Sequence, residues 1–454
     1  MKIAIAGAGE VGYHLIESLY RDYPQIAVID TDHETLQKLE KSFGIKVYHG
    51  NIIDSPLLAK NGLADFDLFL AITNSDETNM ISCRMAKDAG VNTTICRIRQ
   101  IELEGTKRET TLEALGIDIV INPVILTARE LARFVEYPNV VEQIDFFEKA
   151  VELRGYKVRD YCSYLNRTCD ELFNELNKNS VWLSFILRNE RSIVPTKETE
   201  IFEGDHIYFL TPRTKIDWLR ANLGYTSDKQ TKKRIMINGG GHVGYQLAKK
   251  LEKTQFFVKV IELNKERAFR IAEQLENSMV LNFDGTDKNA LLAEGIEDTD
   301  IFLSLTEKEE LNITACALAG KLGAKTTMAL LKQPELVRII EQSAPIDKAL
   351  SPRIITARYL SRYIKGSGLG SYYSINNLEI IEVVVDTTTA CYNKEIKNLE
   401  CPEDVRVAMV ERGGEVFLAH SATKLKKDDR IILVLHNWEK EYATKMFNLK
   451  EMGS

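Results

Sequence analysis

The sequence predicts an α/β chain: two Rossmann-like doubly wound parallel-sheet domains, each followed by a small α+β domain. Three observations carry this. A G-x-G-x-x-G turn, Gly7-Ala8-Gly9-Glu10-Val11-Gly12, directly follows the apolar run Ile3-Ala4-Ile5-Ala6. Strand-like and helix-like stretches then alternate, the mark of a parallel sheet. The pattern is replayed 232 residues later at Gly239-Gly240-Gly241-His242-Val243-Gly244.

In such a turn the first glycine permits the tight bend and the second lets a pyrophosphate approach the backbone. The third lets helix and strand pack closely, with the phosphates on the helix N-terminus. Leu15, Ile16 and Leu19 then recur at helical spacing. Ile26 to Ile29 is a buried strand ending in Asp30, and Asp32 is placed to cap a helix from Glu34 to Phe43. Lys46 to Tyr48 forms a third strand, and Ser55-Pro56 reads as a helix start. Asp67 to Ile72 is a fourth strand with Thr73-Asn74-Ser75-Asp76 at its carboxyl end. Asn79 to Ala89 is helical, Thr93 to Arg97 a fifth strand, and Asp118 to Ile121 a sixth. A ligand belongs at the carboxyl ends of these strands, where the glycine turn points.

The second half answers residue by residue. Asp30 matches Glu262, Thr73 matches Thr306, Asn79 matches Asn312, and Asn122-Pro123 matches Ser351-Pro352. Between the copies, Pro123 to Tyr137 reads as a helix with Leu126, Leu131, Phe134 and Val135 on one side. From about Val141 to Asn222 the chain turns β-rich, with strands at Gln143 to Leu153, Trp182 to Arg188 and His206 to Leu210. The tail matches in outline, with Leu378 to Val385, Val405 to Val410 and Ile431 to Leu435. The domains expected are 1–137 and 232–365 for the nucleotide-binding pair, and 138–222 and 372–454 for the small pair. Flexible joints fall at Tyr225 to Lys233 and Gly366 to Ser371.

A net charge of −7 argues against a nucleic-acid binder. Seven scattered cysteines without a C-x-x-C pair read as reduced thiols, and the histidines show no metal-ligand spacing, so no metal site is expected. No apolar run approaches the ~18–20 residues that span a bilayer. The first strand begins at once and leaves no room for a signal peptide, so a cytoplasmic chain is expected.

The two glycine turns, the run Ala71-Ile72-Thr73-Asn74-Ser75-Asp76-Glu77-Thr78-Asn79-Met80, Arg97-Ile98-Arg99 and Glu136-Tyr137-Pro138 together resemble the TrkA family. Its members are cytosolic regulatory subunits of bacterial Trk potassium uptake systems, built from tandem domains that regulate potassium conductance (RCK domains). The resemblance spans essentially the whole chain and implies no catalytic residues. It implies a nucleotide ligand, NAD(H) with ATP or ADP as alternatives, at Gly7 to Val11, Asp30, Thr73, Asn74 and Arg97. A second site would use Gly239 to Val243, Glu262 and Thr306. It also implies a homo-oligomer, dimer or tetramer, on the inner face of the membrane against a potassium-translocating channel subunit.

The residues have physical reasons of their own. Asp30 and Glu262 can accept hydrogen bonds from ribose hydroxyls and would repel a 2′-phosphate, which favours NAD(H) over NADP(H). Arg97 leaves its strand on the ligand side, where it can pair with phosphate oxygens. The second copy replaces Arg97 by Leu330 and Arg99 by Lys332. It also has Phe283-Asp284-Gly285-Thr286 where the first has Gly50-Asn51-Ile52-Ile53. Non-equivalent sites are therefore expected, the first favouring ligands with more phosphate charge. An NAD-dependent oxidoreductase is the alternative. It needs an acid or base facing the nicotinamide; the small domains carry few histidines (His206, His420, His436), and His206 and His436 fall on or at the end of strands, where a satisfied side chain is expected. A nucleotide-binding scaffold for another transporter is a third reading.

Overall fold

The computed structural model describes residues 1–53, 62–99, 111–137, 139–189, 191–225, 232–366, 372–375, 377–402 and 404–448. The helix expected behind Ser55-Pro56, most of both joints and Pro138 lie outside the described residues.

The first copy runs β1 (Ile3–Ala6), α1 (Glu10–Leu19), β2 (Ile26–Asp30), α2 (His33–Phe43), β3 (Lys46–His49), β4 (Leu68–Ala71), α3 (Asp76–Asp88), β5 (Thr93–Arg97), β6 (Ile119–Ile121) and α4 (Pro123–Glu136). Its strands pair in parallel in the order β3-β2-β1-β4-β5-β6. The centre strands β1 and β4 are buried along their whole length. That burial on both faces is why they read as continuous apolar runs, not alternating ones. The order reverses between β1 and β4, which opens a crevice at their carboxyl ends. Asp32 caps α2, accepting from the amides of Glu34 and Thr35, and Ser75 caps α3 through the amide of Thr78. With Ser75 as its cap, α3 begins three residues before the apolar periodicity suggests.

The first small domain has β7 (Val140–Phe146), β8 (Val151–Lys157), α5 (Cys169–Lys178), β9 (Trp182–Arg188), β10 (Arg191–Ile193), β11 (His206–Pro212) and α6 (Ile216–Asn222). Its antiparallel sheet has the order β10-β9-β11-β8-β7. One strand was expected over Gln143 to Leu153, and the structure has two. A corner at Phe147-Glu148-Lys149 divides them, with φ of 49, 52 and 79°.

The second nucleotide domain repeats the first through β12 (Arg234–Asn238), α7 (His242–Leu251), β13 (Phe257–Ile261), α8 (Lys265–Gln274), β14 (Met279–Leu281), α9 (Lys288–Ala293), β15 (Ile301–Ser304), α10 (Glu309–Lys321), β16 (Thr326–Leu330), α11 (Pro334–Ser343), β17 (Lys348–Leu350) and α12 (Pro352–Gly366). The order β14-β13-β12-β15-β16-β17 is that of the first sheet. The last small domain follows with β18 (Tyr372–Ile375), β19 (Leu378–Val384), β20 (Val405–Arg412), β21 (Glu415–Leu418), β22 (Arg430–His436) and α13 (Lys440–Phe447), its sheet ordered β18-β19-β22-β20-β21.

The chain packs as two compact units that pair like with like. One joins Met1–Glu136 to Gln230–Ser361, the other Tyr137–Lys229 to Arg362–Glu451. In the first unit, α4 buries Ala128, Leu131, Ala132 and Val135 against Leu247, Ala248 and Leu251 of α7 and the strand residues Ile235 and Ile237. Leu126, expected on that face, is only half-buried, and Thr127 takes its place in the interior. Burying side chains of the size of leucine and valine contributes about 1.5–3 kcal/mol each, so this helix is a principal tie between the copies.

In the second unit the two small sheets share one core, in which Phe146, Phe185 and Tyr208 meet Tyr373, Ile380 and Ile432. The left-handed corner is held there by the second sheet: the Phe147 amide donates to Glu382 at 2.9 Å, and Arg430 bonds both Glu382 and Glu148. The duplication extends to fine detail. Arg188 pairs with Asp205 as Arg412 does with Asp429, and each arginine also donates to a carbonyl, of Glu200 and Lys424 respectively.

Candidate functional site

At the first crevice the chain needs glycine for two separate reasons. Gly7 has φ of +113°, and a Cβ on Gly12 would lie 2.3 Å from the Gly7 carbonyl oxygen. The second copy is built alike, with Gly239 at +107° and a Cβ on the third glycine, Gly244, falling 1.9 Å from the Gly239 carbonyl oxygen. Around Gly9, by contrast, nothing lies within 4 Å of where a Cβ would stand. Gly9 is also the N-cap of α1 and supplies no side-chain cap. The open side of the loop therefore presents the first amides of a helix, an arrangement suited to an anion.

The acid at the end of β2 fastens this loop. Asp30 accepts from the Ala8 amide at 2.6 Å through one oxygen and from the Asp32 amide at 2.9 Å through the other. Glu262 does the same, accepting from the amides of Gly240 at 3.0 Å and Asn264 at 2.8 Å. The surroundings differ. Asp30 borders an open cavity, whereas Glu262 is buried and stands 3.5 Å from the Arg267 guanidinium.

The most specific stretch of the sequence, Thr73 to Met80, is organised by Asn79, which is buried. Its side-chain oxygen accepts from the Thr73 amide (2.9 Å) and hydroxyl (2.7 Å), and its amide donates to the carbonyls of Thr73 and Arg97. The ends of β4 and β5 are thereby clamped at the crevice. Asn312 makes the same four bonds to Thr306 and Leu330. It also accepts from Ser304, whose hydroxyl in turn accepts from Asn238. In the first copy those two positions are alanines, Ala6 and Ala71.

A cavity of about 630 Å³ results at the first crevice. It brings together Gly7, Gly9, Glu10, Val11, Asp30, Thr73, Asn74 and Arg97, all expected from the sequence. Ala8 and Gly12 are buried behind it as loop framework. Arg97 reaches the carbonyls of Ile72 and Thr73 at 3.3 and 3.5 Å, while its Nε is buried without a partner. Burial, and secondarily Arg99, lower the Arg97 pKa, so the guanidinium is a desolvated cation with donor capacity to spare. In the second copy Gly239, Gly240 and Gly244 are buried, Gly241 and Val243 half-buried, and His242 is exposed at the start of α7. The Arg97 position is the buried apolar Leu330.

Two participants were not legible in advance. Asn79 was visible only as a matched position in the repeat. Arg353, from α12 of the second copy, lines the first cavity and bonds Glu10.

This arrangement has relatives. The TrkA-N domain family matches residues 3–123 and again 235–352. The chain is 30% identical over 451 residues to the Trk system potassium uptake protein TrkA of Vibrio alginolyticus, covering 98% of this chain and 97% of that one. It is 31% identical to the same-named protein of Halomonas elongata, over 95% of each.

The chain belongs to the TrkA family.

This TrkA-family chain carries the TrkA-N domain twice, and its fold agrees with solved structures. The GsuK RCK domain superposes with a TM-score of 0.62 at 16% identity, covering 98% of this chain and 95% of that chain. The GsuK channel bound to NAD gives 0.63 at 16% identity over 98% of this chain and 79% of that one. At this identity the likeness is one of fold. For the TrkA-family chain itself, no helix among the described residues is long and apolar enough to cross a membrane, and none of them group as a metal site.

Proposed function

We propose that this TrkA-family chain is a cytosolic, ligand-sensing regulatory subunit of potassium uptake. It binds NAD(H) or an adenine nucleotide at Gly7 to Val11, Asp30, Thr73, Asn74 and Arg97, with a second, different site at Gly239 to Val243, Glu262 and Thr306. As a dimer or tetramer it docks on the inner face of a potassium channel subunit and changes that channel's open probability.

The observation that carries the reading is the first cavity: an open glycine cradle at a helix N-terminus, faced by an acid held by two amides and by a desolvated arginine with an unpartnered Nε. These residues fit a nucleotide. The cradle and Arg97 suit phosphates, and the remaining lone pairs of Asp30 suit ribose hydroxyls. The ligand is then a signal and undergoes no chemistry. Gating requires that it bind two arrangements of the subunit unequally, and a coupling of roughly 1–3 kcal/mol suffices for a useful switch.

The test is co-purification with a Trk-type channel subunit, followed by potassium flux in vesicles with ATP and NADH added. A change of several-fold in flux is expected. Nucleotide binding without any effect on flux would defeat the gating role, and substrate-dependent NADH oxidation by the chain would favour the oxidoreductase reading instead.

A further inference from the structure

Arg353 is a second-copy residue in a first-copy site. It is the second residue of α12, set there by Pro352 and the buried Ser351, and its side chain lines the cavity around the first glycine loop. Its Nη1 donates to the carboxylate of Glu10, the first residue of α1. An acid at that position stands where the helix N-terminus would attract phosphate, and it repels phosphate unless a cation neutralises it. A guanidinium has five N–H donors in a planar fork, so bonding Glu10 leaves capacity for further oxygens. Burial also lowers the pKa of Arg353, as expected of a cation drawn out of water. The second copy has none of this: by the repeat, Glu10 corresponds to His242 and Arg353 to Val124.

We infer that Arg353 is the residue with which the first site distinguishes nucleotides by phosphate charge. A di- or triphosphate takes up its donors in competition with Glu10, while a single phosphate leaves the Glu10–Arg353 pair in place. Polyphosphate recognition is thereby shared between the two repeats. This rests on the proposed nucleotide site.

The test is calorimetric titration of the full chain with ATP and with AMP, for wild type, R353A and E10Q. R353A should weaken ATP about tenfold and AMP less than about twofold, the loss of a charge-assisted contact made only to the longer phosphate chain. E10Q should tighten ATP a few-fold by removing the competitor. An unchanged ATP-to-AMP ratio in R353A, or equal losses for both ligands, overturns the inference while the nucleotide site stands. Should R353A fail to fold, an unchanged ratio in E10Q overturns it equally. Absence of any nucleotide binding by the wild-type chain would overturn the site and this inference together.

Discussion

The two glycine-loop sites share a skeleton and differ in what fills it. Each has a positive-φ first glycine, a third glycine against the first one's carbonyl, an acid bonded to two amides, and a buried asparagine clamping two strand ends. Around the first, the groups are cationic and incompletely partnered: Arg97 with its free Nε, and Arg353 against Glu10. Around the second, the groups are satisfied by one another: Glu262 beside Arg267, and Asn238 with Ser304 and Asn312. A frame can be kept for stability while the reactive surface above it is retained or internally neutralised, so matching motifs do not imply matching ligands.

Removing the clamps tests the shared frame and should have the largest effect. Asn79→Ala removes the four bonds that join the ends of β4 and β5 and should cost about 2–3 kcal/mol in chemical denaturation, with Asn312→Ala costing more because Ser304 also loses its acceptor. Negligible losses would show that the frame does not depend on these residues, and equal losses that the Ser304 bond adds nothing.

The acids separate frame from ligand. Asp30→Ala should weaken NADH and ATP at the first site by roughly thirtyfold, about 2 kcal/mol. Glu262→Ala should act chiefly on stability, because that carboxylate is buried and already bonded to the amides of Gly240 and Asn264. Identical calorimetric profiles for the two variants would break the claim that the sites differ. The smallest change converts one site toward the other: Arg97→Leu should lower ATP affinity about fivefold and leave the melting temperature nearly unchanged. An ATP affinity equal to wild type would remove Arg97 from the site.

What the residues disclosed in advance followed the physics of burial and spacing. Ile3 to Ala6 and Leu68 to Ala71 are buried on both faces, so they stand out as apolar runs, and the acids behind them are found by distance from the glycines. Asn79 was harder to interpret, since an asparagine on a helix shows its match in the repeat but not the four bonds it makes. The Phe147-Glu148-Lys149 corner was missed because no glycine, asparagine or proline marks it. Its left-handed backbone is met by a hydrogen bond from the Phe147 amide to Glu382, 235 residues away. Arg353 was missed for a related reason: its partner Glu10 lies 343 residues earlier, and no local pattern records an encounter made by folding.

The docking of α4 onto α7 has one more consequence. Two separate single-repeat chains joined by this contact would be identical, so every substitution would be felt at both sites alike. Once the repeats lie in one polypeptide, the association is intramolecular and no longer depends on protein concentration. The copies are then free to drift apart, so that Arg353 can face one cavity while Val124 begins the corresponding helix of the other. Covalent linkage turns an inherited symmetry into a division of labour.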